Sequence, residues 1–167
     1  MAELQRHVHG VNADGAVPHR KLVGRDGDVV GIEMGRRRER FSGTDALSMS
    51  IAPIARGWIK CQPHHLVLGE GDRLAVASFM RAAADAAYVV TLLYLQAVDE
   101  VLDERCELRG SAQNRSWRAG RATKAANLIR WASGTPIRTV QLDSTRMTPE
   151  RLAEAARAQI PALKELR

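Results

Sequence analysis

Cysteine is scarce in this chain. Cys61 and Cys106 are its only two and do not form a Cys-x-x-Cys pair, which excludes a disulfide-stapled scaffold and suits a reducing compartment. Long apolar runs are absent as well. From Ala86 to Val98 no charge occurs, but Arg81 and Asp85 stop this stretch short of the roughly 18 residues that a membrane span requires. Met1 to His9 carries Glu3, Arg6 and two histidines where a secretory leader needs apolar residues, so no leader is expected and the cytoplasm is the expected location. The phosphate-cradling glycine loop G-x-x-x-x-G-K-[ST], the strand-elbow serine, the paired zinc histidines on a helix and the kinase set are all missing from the sequence. No cofactor is therefore expected, and an enzyme is not the first expectation.

Two further absences are regional. No glycine or proline occurs between Asp72 and Gly110, and Asp72 is a good N-cap, so the pattern predicts one long central helix through Arg109, roughly 55 Å at 1.5 Å per residue. Tyr88, Val89, Val90, Leu92, Leu93, Tyr94 and Leu95 would cover every face of that helix. A helix apolar all round must be surrounded, so a homo-oligomer through the stretch from Tyr88 to Val98 is expected.

The second regional absence is acid. Arg109 to Leu142 has no Asp or Glu but carries Arg109, Arg115, Arg118, Arg121, Lys124, Arg130 and Arg138, which more than accounts for the net charge of +6. Trp117, Trp131, Gln113, Asn114 and Asn127 are interleaved with these cations, and such a mixture supplies phosphate partners, stacking faces and amides. Arg115, Arg118, Arg121 and Lys124 recur every three residues, so on a helix they wind slowly around the surface. A second basic run, Arg36, Arg37, Arg38 and Arg40, could extend the same surface. The rival reading packs the basic helix against Asp99, Glu100, Asp103, Glu104 and Glu107 of the preceding segment.

At 167 residues, with 45% apolar and 26% charged residues, the chain has the make-up of an ordinary globular protein of about one domain. Ten of its thirteen glycines lie in the first 71 residues, which favours short strands and turns there. Asp26-Gly27 between Lys21-Leu22-Val23 and Val29-Val30-Gly31-Ile32 predicts a hairpin. Trp58 to Cys61 and His65 to Leu68 read as a second strand pair, closed by Gly69-Glu70-Gly71. Beyond Gly110, a helix is predicted from about Arg115 to Ser133 with Gly134 as its stop, then a strand over Ile137 to Leu142. A last helix is capped by Thr148, with Pro149 in its first position and Pro161 as a break.

These features predict an α+β fold, mainly α, with a β-rich region over 1–71 and a helical region over 72–167. The function they favour is a non-enzymatic accessory protein that binds DNA or RNA through phosphates, with no membrane partner. A protein of a larger assembly, acting only through protein interfaces, is the alternative. A helix-turn-helix around Gly134 is opposed by Arg130 at a position that needs a small residue and by the strand preference of Ile137, Thr139 and Val140. A metal-dependent enzyme using His7, His9, His19, Cys61, His64 and His65 is weaker still, because no second ligand pair completes a site and loop histidines explain the pattern. Acidic neighbours make Cys106 a poor nucleophile. Asp45, Glu70 and Asp72 are single carboxylates that the sequence does not set apart from others.

Overall fold

The computed structural model describes residue 4 and residues 8–36, 47–61, 64–110 and 115–166. These residues form a mixed α+β structure with a strand-rich N-terminal region, as the composition predicts. The chain divides into two compact units, residues 1–90 with 160–167, and residues 91–159.

The first unit is built on a four-stranded sheet of β1 (His9–Ala13), β2 (His19–Val23), β3 (Val29–Met34) and β4 (Val67–Leu68), in that spatial order. The expected hairpin is β2 and β3, antiparallel, with Gly27 at φ 86° in the turn and Gly24 N–H donating to Asp28 O at 2.9 Å. That left-handed φ is why glycine follows Asp26. β4 runs parallel to β3, and Ile32 N–H donates to Leu66 O at 2.9 Å.

Helix α1 (Ile51–Cys61) forms the crossover between β3 and β4. Its buried residues Ile51, Ala55 and Ile59 recur every four residues. That helical period continues through Trp58 to Cys61, so the expected strand there is instead the last turn of α1, and only Val67 and Leu68 of the second expected strand pair with β3. Ile51, Ala55 and Ile59 join Ile32 and Met34 of the sheet and Phe79, Ala82 and Ala83 of helix α2 (Ala77–Asp85) in one core cluster.

The long central helix does not form. α2 ends at Asp85, and the chain continues as strand β5 (Thr91–Gln96) and helix α3 (Asp99–Leu108). The break is a Schellman closure: Tyr88 N–H donates to Ala83 O at 3.1 Å and Ala87 N–H to Ala84 O at 3.0 Å. Ala87 takes the left-handed position at φ 65°, where glycine is usual. The β-branched Val89, Val90 and Thr91 then favour a strand. Because the apolar stretch includes a turn and a strand, an all-round apolar helix no longer argues for a homo-oligomer.

The second unit contains β5 and β6 (Arg138–Asp143), parallel and in register from Thr91 opposite Arg138 to Gln96 opposite Asp143. α3 and α4 (Arg115–Ala132) lie in the crossover, and α5 (Pro149–Gln159) follows β6. Leu128, Ala132, Val140, Leu142, Ala153 and Ala156 are buried in this unit. α4, β6 and α5 match the sequence expectation closely, and Thr148 Oγ1 accepts from Arg151 N–H at 3.4 Å. A strand after Gly134 removes the helix-turn-helix alternative. A 3-10 helix, Pro161–Leu166, belongs to the first unit and buries Leu163 and Leu166. Among the described residues, no helix is long and apolar enough to cross a membrane.

Candidate functional site

Parallel strands joined by helical crossovers present ligand sites beyond their carboxyl ends, where loops and helix starts converge. Each unit has one such edge.

In the first unit, β3 leads into Gly35, buried at φ 108° with its N–H donating to Pro18 O at 2.7 Å, and then into Arg36, which is ion-paired with Asp14. β4 leads into Gly69, Glu70, Gly71, Asp72 and Arg73, and Gly71 has φ 84°. Two carboxylates and a guanidinium thus follow one strand end, all three half-buried. Arg73 Nε donates to Met49 Sδ at 3.4 Å, and a thioether is a weak acceptor for a cation. Behind this edge, Glu33 is 1% exposed and accepts from Arg20 Nη1 at 3.0 Å.

In the second unit, the carboxyl edge is tied by its own side chains. Arg105 of α3 donates from Nη1 to Ser144 Oγ at 2.9 Å and from Nη2 to Ser144 O at 2.7 Å, while Ser144 Oγ donates to Gln96 O at 2.9 Å. Thr145 donates to Asp143 Oδ1 through its hydroxyl at 2.6 Å and its N–H at 2.9 Å. The hydroxyl bond is the main reason that the Asp143 carboxyl is held below the ordinary aspartate range.

The described residues of the basic strip of α4 are partly covered. Arg118, Arg121 and Lys124 are half-buried, while Ala119, Gly120, Ala122 and Thr123 of the same helix are exposed. Arg118 is ion-paired with Asp103 of α3, and the hydrogen bond to that carboxylate raises its guanidinium above the ordinary value. Arg121 lies over the ring of Trp117, 4.7 Å from its centre. Burial, and next the nearby Arg121, lower the Lys124 ammonium. Arg109 donates from Nε to Arg105 O at 3.0 Å, and Arg130 donates to Asn127 Oδ1 at 3.2 Å near the helix end. Arg138 is exposed at the amino end of β6, away from the carboxyl edge. Arg37, Arg38, Arg40 and the Arg115 side chain lie outside the described residues and atoms. The strip is thus partly neutralised by α3, as the rival reading expects.

His7 lies outside the described residues, and the described histidines do not assemble into a metal site. His19 is buried and donates from Nδ1 to Val17 O at 3.0 Å, with the Trp58 ring 5.3 Å away. His64 stacks near Trp58, and its ring is held below the usual histidine range by partial burial, then by His19 and Lys21. Among the described residues, no group of three His, Cys, Asp or Glu could hold a metal ion.

The sequence matches the family model "P-loop Nucleotide Kinase3" over residues 2–159. The chain belongs to this family. Membership in a P-loop nucleotide kinase family overturns the expectation of a non-enzymatic DNA- or RNA-binding regulator and points to a nucleotide-binding, kinase-like function. The physical reason for the error is that arginine reads phosphate oxygens, and these are the same group on a polymer and on a free nucleotide. No curated protein and no solved structure matches the chain significantly.

A P-loop nucleotide kinase implies a magnesium nucleotide, and the residues present meet that requirement in part. Magnesium asks for one or two carboxylates together with phosphate oxygens, and Glu70 and Asp72 are of that kind. The glycine loop G-x-x-x-x-G-K-[ST] is not spelled out between Met1 and Arg167, so no transfer step is assigned to a phosphate cradle here. Sequence reasoning set Glu70 and Asp72 aside as single carboxylates and did not read Glu70-Gly71-Asp72-Arg73 as a group. Its signal was the position of these residues directly after the apolar strand Leu66 to Leu68.

Proposed function

We propose that the protein binds a nucleotide in the manner of a nucleotide kinase, at the carboxyl edge of β3 and β4 in the first unit. The observation that carries this reading is the placement of Glu70, Asp72 and Arg73 at the end of a strand parallel to β3, within a chain matched by a nucleotide kinase family over residues 2–159. Glu70 and Asp72 would hold a magnesium ion bound to phosphate oxygens, and Arg73 would neutralise phosphate charge. A cytoplasmic location belongs to the same proposal.

Calorimetric titration of the full chain with magnesium ATP and with nucleoside monophosphates tests the reading. Asp72→Asn and Arg73→Gln are each expected to weaken binding by about tenfold or more, because each removes a charge that faces phosphate or metal. Unchanged affinity in both folded variants would move the site elsewhere.

A further inference from the structure

We propose that His64 is a pH-sensitive latch on β4: the neutral ring packs on Trp58 and His19 and holds the approach to the strand, and the protonated ring lets go of it. Three parts of the first unit meet here. β2 supplies His19, the last turn of α1 supplies Trp58, and His64 stands three residues before β4. The ring centres lie 5.3 Å apart for His19 and Trp58, 6.2 Å for His19 and His64, and 6.3 Å for Trp58 and His64, the last pair stacked at 29°. All three spacings fall in the roughly 4.5–7 Å range of aromatic pairs. His19 is buried and its Nδ1 donates to Val17 O, so this ring is a fixed wall. Just beyond His64, Ile32 N–H donates to Leu66 O at 2.9 Å, and Val67 and Leu68 pair with β3. β4 is only two residues long, so its place depends on the residues that lead into it.

The charges around this ring have one sign. From β2, His19 and Lys21 act on His64, while α1 gives it the uncharged ring of Trp58. Among the described residues, none of His19, Lys21 and His64 has an ion pair. A proton on His64 therefore meets partial burial first, then His19 and Lys21, and all three disfavour it. A ring that holds its proton less well when packed is released by acid. Packing is complete above the ordinary histidine value of about 6.5, and the ratio of packed to released ring falls by at most about tenfold per pH unit below it. Glu70, Asp72 and Arg73 follow β4, so release also loosens the carboxyl edge. Only this last consequence rests on the nucleotide reading given above.

The test is isotope-edited NMR of the full chain from about pH 8 to pH 5, a span that brackets the ordinary histidine titration. The Trp58 indole N–H and the amides of Leu66 and Val67 are expected to shift with the same midpoint as the His64 ring. In His64→Gln that common response is expected to vanish, and in Lys21→Gln the midpoint is expected to rise by about a few tenths of a pH unit. Affinity for magnesium ATP is expected to fall several-fold over the same range in the native chain and less in His64→Gln. Trp58 and Leu66 signals that stay still while His64 titrates, or that respond equally in His64→Gln, would overturn the latch. Should His64→Gln not fold, Lys21→Gln decides alone: a raised common midpoint supports the latch and an unchanged one refutes it. Failure to bind ATP at every pH counts against the nucleotide reading, and the NMR response still decides the latch.

Discussion

Ala87 is the only described residue other than glycine with positive φ, and it closes α2 in the position that glycine normally fills. Ala87→Gly should therefore stabilise the protein by about 0.5–1 kcal/mol, the left-handed cost of alanine less the extra chain entropy of glycine, as measured by denaturant unfolding. Gly31 is the opposite case. A Cβ there would stand 2.9 Å from Leu66 O and 3.0 Å from Leu66 Cβ, in the close approach of β3 to β4. Gly31→Ala should cost about 1–3 kcal/mol in the same assay. His64 sets a pH dependence. Its lowered folded value means that the unfolded chain binds the proton more readily, so stability falls as pH drops through the ordinary histidine range of about 6.5. The denaturation midpoint should decline on acidification in the native chain, and less steeply in His64→Gln.

At the scale of elements, Arg105 fastens α3 to the turn after β6 through two hydrogen bonds to Ser144. Arg105→Ala should cost about 1.5–3 kcal/mol and speed hydrogen exchange at the Ser144 amide, whose partner is Gln96 O. Elements with local signals were legible in the sequence. Asp26-Gly27 demanded a left-handed turn, Thr148-Pro149 announced a helix start, and the β-branched residues before Leu142 announced β6. Elements decided by tertiary context were not. Nothing in the letters marks Ala87 as left-handed, so α2, β5 and α3 merged into one expected helix. The parallel pairing of β5 with β6 joins residues 47 apart, beyond the reach of any local pattern. The last turn of α1 was read as a strand because Trp58 and Ile59 favour strands, although the burial of Ile59 follows the helical period set by Ile51 and Ala55.

For the whole molecule, the concentration of cations over Arg109 to Leu142 was legible, while what those cations serve was not. Charge counting treats Arg118 as available, and only the fold shows Asp103 against it. Glu70 and Asp72 gained meaning only when β4 paired parallel with β3 and set them at a carboxyl edge. The central claim is that these groups serve a mononucleotide and not a polymer. Competition for a fluorescent ATP analogue on the full chain, with magnesium present at about 0.15 M salt, tests it most directly. Unlabelled nucleotide should displace the analogue while duplex DNA at equal phosphate concentration does not; displacement by the duplex, or no binding of the analogue at all, would contradict the account.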